Sequence, residues 1–279
     1  MACKVDIEEA YYGDKKVLED IHFDVEKGGV LAVVGESGAG KTTLARLISG
    51  MWQFYPLTFK GSIATDEEIG FIPQNITDSL DPLFKIKDQL LEIENDLDKI
   101  KETLRKVGFE DIEHVLNSYP HNLSGGMRQR VLIAAALLKS KMILADEFTS
   151  ALDSMTKLKV VSLLKELNKK DKITLMFITH DVDMLSFEGK MVVLFDGRII
   201  EMGKIDEIKR DPYHPYTRFL FNSVPSFDVH YSSFRFKELK VNKEYACPFY
   251  LSCPTAFDKC KTVNPPLKER DGRFVRCHF

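Results

Sequence analysis

The chain lacks any long apolar run. The longest, such as Val131 to Leu138, reach eight residues, far below the roughly 20 a spanning helix needs. A membrane-spanning role is therefore excluded, and any membrane association is expected to come through a partner. An excess of charge is missing too: 39 Lys and Arg stand against 42 Asp and Glu, for a net charge of −3. That balance points away from nucleic acid and acidic lipid as partners. The Lys, Asp and Glu between Ile86 and Lys106 read as solvated helix faces rather than a binding patch. No basic-then-apolar leader opens the chain, because Met1-Ala2-Cys3-Lys4-Val5-Asp6 runs straight into strand-like alternation; synthesis and retention in the cytoplasm are expected. Cysteine is absent ahead of Cys247 except for Cys3, read as an incidental thiol. The length of 279 residues allows one large or two small domains.

What is present begins with Gly35-Glu36-Ser37-Gly38-Ala39-Gly40-Lys41-Thr42, which fits the phosphate-binding pattern G-x-x-x-x-G-K-[ST]. Glycines let backbone N–H groups approach phosphates, the Lys41 ammonium reaches the β- and γ-phosphates, and the Thr42 hydroxyl is a Mg²⁺ ligand. The context agrees. Val30 to Val34 reads as a buried parallel strand, and Thr43 to Ser49 as a helix whose N-terminus points at the anion. Ser37, Gly38, Ala39, Gly40, Lys41, Thr42 and Thr43 are the candidate nucleotide contacts.

A second segment narrows the class. Leu123-Ser124-Gly125-Gly126-Met127-Arg128-Gln129-Arg130 resembles the LSGGQ-type signature of ABC (ATP-binding cassette) ATPases, with Met127 where Gln is commoner. The serine and glycines open a helix, Met127 to Lys139, whose free N–H groups suit another anion. By resemblance that anion is the γ-phosphate held by the opposite subunit, so Ser124, Gly125 and Gly126 serve the partner's nucleotide.

The same resemblance assigns the remaining parts. Met142 to Glu147 is an apolar run ending in two acids, as a buried strand needs if it presents carboxylates at its C-terminal edge. Asp146 resembles the aspartate that supports Mg²⁺, and Glu147 the general base that polarises the attacking water. Gln74, after Gly70-Phe71-Ile72-Pro73, resembles the glutamine that senses Mg²⁺ and water. His180, after the apolar run Ile173 to Thr179, resembles the switch histidine on the γ-phosphate. Ser150-Ala151-Leu152-Asp153 resembles the loop that crosses the dimer interface, which adds Asp153 to the nucleotide contacts. Tyr12, just before Gly13, resembles the aromatic that stacks on adenine, with its neighbour Tyr11 as the alternative ring.

Beyond the cassette, Asp211-Pro212-Tyr213-His214-Pro215-Tyr216-Thr217 followed by Ser223-Val224-Pro225 resembles the extension of the importer subfamily for oligopeptides, dipeptides, nickel and some oligosaccharides. Pro215 is expected to open a short helix, Tyr216 to Asn222, and Pro225 to end it. The tail then carries Cys247-x5-Cys253-x6-Cys260-x16-Cys277. Disulfides are disfavoured in a reducing cytoplasm, and so short a loop-rich segment is expected to bury little core, so a metal clip would supply its folding energy. Zinc on four thiolates and a 4Fe–4S cluster both fit four cysteines, and bare thiols or disulfides stay open. The tail resembles the C-terminal domain of peptide-importer ATPases, some of which bind a 4Fe–4S cluster, and the resemblance puts the cluster ahead of zinc.

The resemblance implies an α/β fold of the ABC nucleotide-binding type: a RecA-like parallel-sheet core, an antiparallel β subdomain, an α-helical subdomain at about 75–122, and a small Cys-rich C-terminal extension. Residues 1–210 form the expected cassette and 211–279 the extension. The implied function is the ATP-hydrolysing, energy-coupling subunit of an importer, using ATP and Mg²⁺. It works as an ATP-sandwich dimer, a heterodimer with a second ATPase subunit being favoured by Met127 and a homodimer open. The dimer docks on two permease subunits at the cytoplasmic face of the membrane, with an extracytoplasmic solute-binding protein as indirect partner. A soluble ABC ATPase in metallocofactor or macromolecular assembly is the alternative. Such proteins usually carry fused cassettes or a long insert, which this chain lacks.

Overall fold

The runs Val30 to Val34, Met142 to Asp146 and Thr174 to Thr179 have almost no polar face to offer water. Such segments are stable only as strands covered on both sides. The computed structural model, which describes residues 1–66, 68–75, 79–149, 152–180, 186–223, 239, 241–242 and 244–279, builds them that way. Its strands in chain order are β1 (Cys3–Tyr12), β2 (Lys15–Val25), β3 (Val30–Val34), β4 (Leu57–Thr65), β5 (Ile69–Ile72), β6 (Met142–Asp146), β7 (Thr174–Thr179), β8 (Lys190–Phe195), β9 (Arg198–Lys204), β10 (Lys268–Arg270) and β11 (Arg273–Val275). Among the described residues they form two sheets, one ordered β2-β1-β4 and the other β10-β11-β9-β8-β3-β7-β6-β5. Within the larger sheet β5, β6, β7, β3 and β8 run parallel.

Alternation along each parallel strand divides the core. Val30, Ala32 and Val34 join Ile143, Ala145, Leu175 and Phe177 on one face. There they pack against the helices α5 (Gly125–Lys139) and α6 (Ser154–Asp171). Leu31, Val33, Leu144, Met176 and Ile178 face the other way, against the helix α1 (Lys41–Ile48) and the antiparallel sheet. The helices α2 (Ile86–Leu91), α3 (Leu97–Lys106) and α4 (Ile112–Asn117) lie between β5 and α5. Gly108, at φ 86°, follows α3, and Asp96 and Asp111 cap α3 and α4 with their carboxylates. Among the described residues no helix is long and apolar enough to cross a membrane.

Helix starts fall slightly earlier than sequence spacing predicts. The α1 helix begins at Lys41 rather than Thr43. The α5 helix begins at Gly125 rather than Met127, because the Ser124 hydroxyl accepts the Met127 N–H at 3.3 Å and caps the turn.

The chain after β9 packs back on the larger sheet and its core. The helices α7 (Ile205–Arg210) and α8 (Pro215–Asn222) pack on the sheet, and a short helix α9 (Lys259–Thr262) lies among the cysteines. Strand β11 pairs antiparallel with β9, through Phe274 with Met202 and Val275 with Glu201. Arg276 Nε donates to the Ile199 carbonyl at 2.8 Å. Glu201, fully buried, accepts the N–H groups of Tyr213 at 2.8 Å and His214 at 2.9 Å. Phe249 is 1% exposed and belongs to the main core, its ring set against those of Phe195 and Tyr216. This corrects the expectation of a tail that buries little core: a buried phenylalanine stabilises by about 1.5–3 kcal/mol, so the segment after β9 is held partly by the main core. Val224 and Pro225, expected to end α8, lie outside the described residues.

Candidate functional site

Parallel strands present all their C-terminal ends on one edge, and that edge collects the chemistry. Gln74 follows β5, Asp146 ends β6, Glu147 comes next, His180 follows β7 and the loop Gly35 to Gly40 follows β3. A cavity of about 270 Å³ on this edge is lined by Ser37, Gly38, Gly40, Lys41, Thr42, Thr43, Gln74 and Glu147. Lys15, Lys16, Val17, Asp196 and Gly197 line it as well. The sequence analysis assigned none of these five to the site. The available signal was that β8, parallel to β3, must end at the same edge.

The loop is shaped to hold an anion. Gly40 precedes α1 at φ 101°, a left-handed conformation that favours glycine. No side chain among the described residues caps the helix, so its first N–H groups face the loop uncapped. Lys41 is 5% exposed. Its Nζ donates to the Gly35 and Glu36 carbonyls, both at 2.9 Å, and stands 3.8 Å from Glu147 Oε1. Burial pulls its pKa down, against the nearby charges of Glu147, Asp146 and Glu36.

Glu147 is the hub. Its backbone lies at φ 43°, a strained position for a residue with a side chain. Its N–H is anchored to the Ile178 carbonyl at 2.8 Å. Gln74 Nε2 donates to its Oε2 at 2.8 Å, and His180 Nδ1 lies 3.2 Å from its Oε1. Asp146 is buried, which pushes its pKa up to about 6; the charge of Glu147 adds to the rise and a hydrogen bond with Thr42 opposes it. Among the described residues Asp146 Oδ1 has no hydrogen-bond partner despite its burial. An orphaned carboxylate oxygen beside a threonine hydroxyl is a donor set that fits a Mg²⁺ ion, whose preferred ligands are oxygens.

The other predicted residues lie apart from this cavity. Ala39 packs its side chain into the core. Ser124 and Gly126 line a second cavity of about 410 Å³ together with Met127, Arg130 and Thr156; Gly125 lies between them at the start of α5. The carboxylate of Asp153 caps α6 by accepting the N–H groups of Met155 and Thr156 at 3.1 and 3.0 Å. Ser150 and Ala151 lie outside the described residues. Tyr12, at the end of β1 opposite Lys15, is 41% exposed, whereas the Tyr11 hydroxyl donates to Glu9 at 3.0 Å.

Cys247, Cys253, Cys260 and Cys277 do converge. All four line one cavity of about 10 Å³, with His214, Phe249 and His278. Each is a free thiol, and burial pushes Cys247 up to about 11 and raises Cys277 also. The donor chemistry suits a thiolate-held metal. The spacing does not close on one ion: among the described residues no group of three or more His, Cys, Asp or Glu is arranged to hold a metal. The single-ion clip that the sequence left open as zinc is therefore not displayed by the described residues.

Comparison with known proteins places this geometry. Residues 18–150 match the family model described as ABC transporter, and residues 200–260 the one described as oligopeptide/dipeptide transporter, C-terminal region. The oligopeptide transport ATP-binding protein AppD of Bacillus subtilis is 33% identical over 93% of this chain and 90% of that protein. The dipeptide transport ATP-binding protein DppD of Haemophilus influenzae is 33% identical over 96% and 92%. Among solved structures, cbiO1 of Clostridium perfringens, part of the ABC transporter complex cbiONQ, aligns with a TM-score of 0.66 at 26% identity, covering 75% of this chain and 91% of that one. The dimeric ATP-binding cassette MJ0796 bound to ADP and Pi aligns with a TM-score of 0.62 at 27% identity, covering 74% and 99%. The chain belongs to the ABC transporter ATP-binding family, an ATPase family, in the branch that carries the oligopeptide/dipeptide transporter C-terminal region.

Proposed function

We propose that this chain is the energy-coupling ATPase subunit of an importer for peptides, with nickel and oligosaccharides as related solutes. The solute class comes from the names of the relatives, peptide transport ATP-binding proteins. The observation that carries the chemistry is the Glu147 carboxylate, held between Gln74 and His180 at the mouth of the phosphate loop.

In this reading Glu147 takes a proton from the attacking water. Gln74 and His180 orient the carboxylate, and Lys41 with the loop N–H groups stabilises the charge that develops on the phosphates. Ser37 to Thr43 cradle the triphosphate, and Tyr12 stacks on the base. Thr42, Asp146 and Gln74 would hold Mg²⁺, which when bound neutralises phosphate charge. Ser124 and Gly126 line a cavity of their own, with Gly125 between them at the start of α5, which supports the three completing the site of a second cassette, with Asp153 at the crossing. Two cassettes closing over two ATP molecules, most naturally two different subunits, drive permeases at the cytoplasmic face. The cassette is taken as residues 1–210 and the extension as 211–279.

The convergence of Cys247, Cys253, Cys260 and Cys277 supports a 4Fe–4S cluster ahead of zinc, since a cluster spreads its irons and tolerates wider ligand spacing than one ion. Iron with absorbance near about 400 nm in an anaerobic preparation supports it; zinc without iron refutes it. The transport reading is tested by tagged pull-down from solubilised membranes. Two permeases and a second cassette are expected. Recovery only with soluble assembly machinery overturns it.

A further inference from the structure

One peptide unit of the phosphate loop is gripped from both ends. The peptide joining Gly35 to Glu36 offers its carbonyl to Lys41 Nζ at 2.9 Å. It offers its N–H to the phenol oxygen of Tyr216 at 3.0 Å. Among the described residues every peptide bond is trans, and in a planar trans unit the C=O and N–H point in opposite directions. The two contacts therefore fix the orientation of the whole plane. Lys41 belongs to the loop's own motif, whereas Tyr216 stands in the first turn of α8, beyond the cassette strands.

Tyr216 is placed rigidly enough to act as a fixed point. It is fully buried. Its ring centroid lies 4.3 Å from that of Phe195 at the end of β8, and 5.6 Å from that of Phe249. His214 Nδ1 accepts the Tyr216 N–H at 3.0 Å and sets the start of α8. The loop is confined by backbone also: a Cβ on Gly35 would lie 2.4 Å from the Leu194 carbonyl oxygen, so backbone is packed on backbone there. A hydroxyl set among aromatic rings needs a polar partner, and the partner it has is the Glu36 N–H.

We infer that Tyr216 is a positioning residue for ATP binding. It holds the Gly35–Glu36 peptide so that the carbonyl stays on Lys41 and the following N–H groups keep their cradle. Phe249 lies between Cys247 and Cys253 in sequence and packs on the Tyr216 ring, so the extension buttresses the phosphate loop directly. The inference rests on reading Gly35 to Thr42 as the triphosphate site. If the hydroxyl is removed, the peptide gains freedom to rotate, and the affinity measured falls with the fraction of loop that is competent.

Tyr216→Phe in the full chain is the test, with Mg²⁺ and a fluorescent ATP analogue as probe. The expected result is an ATP Kd raised about tenfold, the effect of one lost hydrogen bond with its donor left unpaired. The kcat at saturating ATP should stay within about twofold, because Glu147, Gln74 and His180 do not touch Tyr216. Amide exchange in the peptide spanning residues 31–40 should quicken, with the melting temperature nearly unchanged; Tyr216→Leu should lower that temperature as well. An unchanged Kd overturns the inference, and so does a raised Kd with loop exchange unaltered. Rapid exchange of the Glu36 amide in the wild-type protein also overturns it, whether or not the variants fold. A wild-type chain that binds no ATP instead sinks the reading of the loop itself.

Discussion

Replacing Glu147 by Gln keeps the side chain's shape and removes its charge. The introduced amide is expected to accept from Gln74 through its own oxygen, so the 2.8 Å contact survives, but an amide cannot take a proton from water. Loss of general-base help slows the chemical step by about 10²- to 10⁴-fold, or roughly 3–5 kcal/mol in the barrier. Binding should move the other way. Glu147 Oε1 stands 3.8 Å from Lys41 Nζ, with both side chains largely shielded from solvent. At an effective dielectric of about 20, that attraction is worth roughly 4 kcal/mol before desolvation is counted. Removing it frees the ammonium for phosphate and takes a negative charge out of a site that must receive a triphosphate. The expected variant binds ATP at least as tightly as the wild type, hydrolyses it at under about 1% of the rate, and accumulates as an ATP-bound dimer. Single-turnover hydrolysis with radiolabelled ATP, nucleotide binding by equilibrium dialysis and mass by light scattering read the three quantities. Hydrolysis at the wild-type rate refutes the role of Glu147. Binding weakened in step with hydrolysis refutes the electrostatic reasoning.

Further outcomes follow from the same geometry. Lys41→Ala should abolish ATP binding, since a buried ammonium beside the loop is lost; measurable affinity within about tenfold of wild type by dialysis would contradict that. Phe249→Ala should cost about 3–5 kcal/mol, as expected for a large ring removed from a core, read by urea unfolding. Stability should also fall in mild acid. Burial holds His214 near 3, well below its ordinary 6.5, so the unfolded chain takes up the proton first. The stabilisation is complete above 6.5 and fades as pH drops toward 3, by about 1.4 kcal/mol per pH unit for this group. His214→Asn keeps a capping acceptor for α8 and should flatten that slope between pH 7 and about 5; an identical slope in urea titrations would remove His214 as the cause.

Much of the cassette was legible in the chain. Val30 to Val34 reads as a doubly covered strand because five apolar residues in a row leave no wet face, and β3 has those bounds. The loop Gly35 to Thr42 and the acids at the end of β6 sit at strand ends that local pattern marks, Gln74 at one that the resemblance marks, and the structure brings Ser37, Gly38, Gly40, Lys41, Thr42, Gln74 and Glu147 to one cavity. Parallel pairing explains why: neighbours that run the same way must deliver their following residues to the same edge. The tip of the β8–β9 hairpin, Asp196-Gly197, lines the same cavity, and no motif in the sequence marked it.

Contacts between distant segments were beyond the sequence. The Tyr216 hydroxyl reaches the Glu36 N–H across 180 positions, and nothing in Tyr213-His214-Pro215-Tyr216 tells a packing ring from a loop anchor. The tail, with its prolines and spaced cysteines, looked self-contained, yet β11 joins β9 and Phe249 enters the main core. Four cysteines at those intervals suggested a metal cage; the fold sets them on one cavity without drawing them around an ion. The sequence by itself determined the class of chemistry, because phosphate loop, signature and acidic strand end are local patterns whose spacing is fixed by a turn or a strand. Only the tertiary structure decided what the extension touches, because side chains far apart in the chain meet through packing, and packing depends on every residue between them.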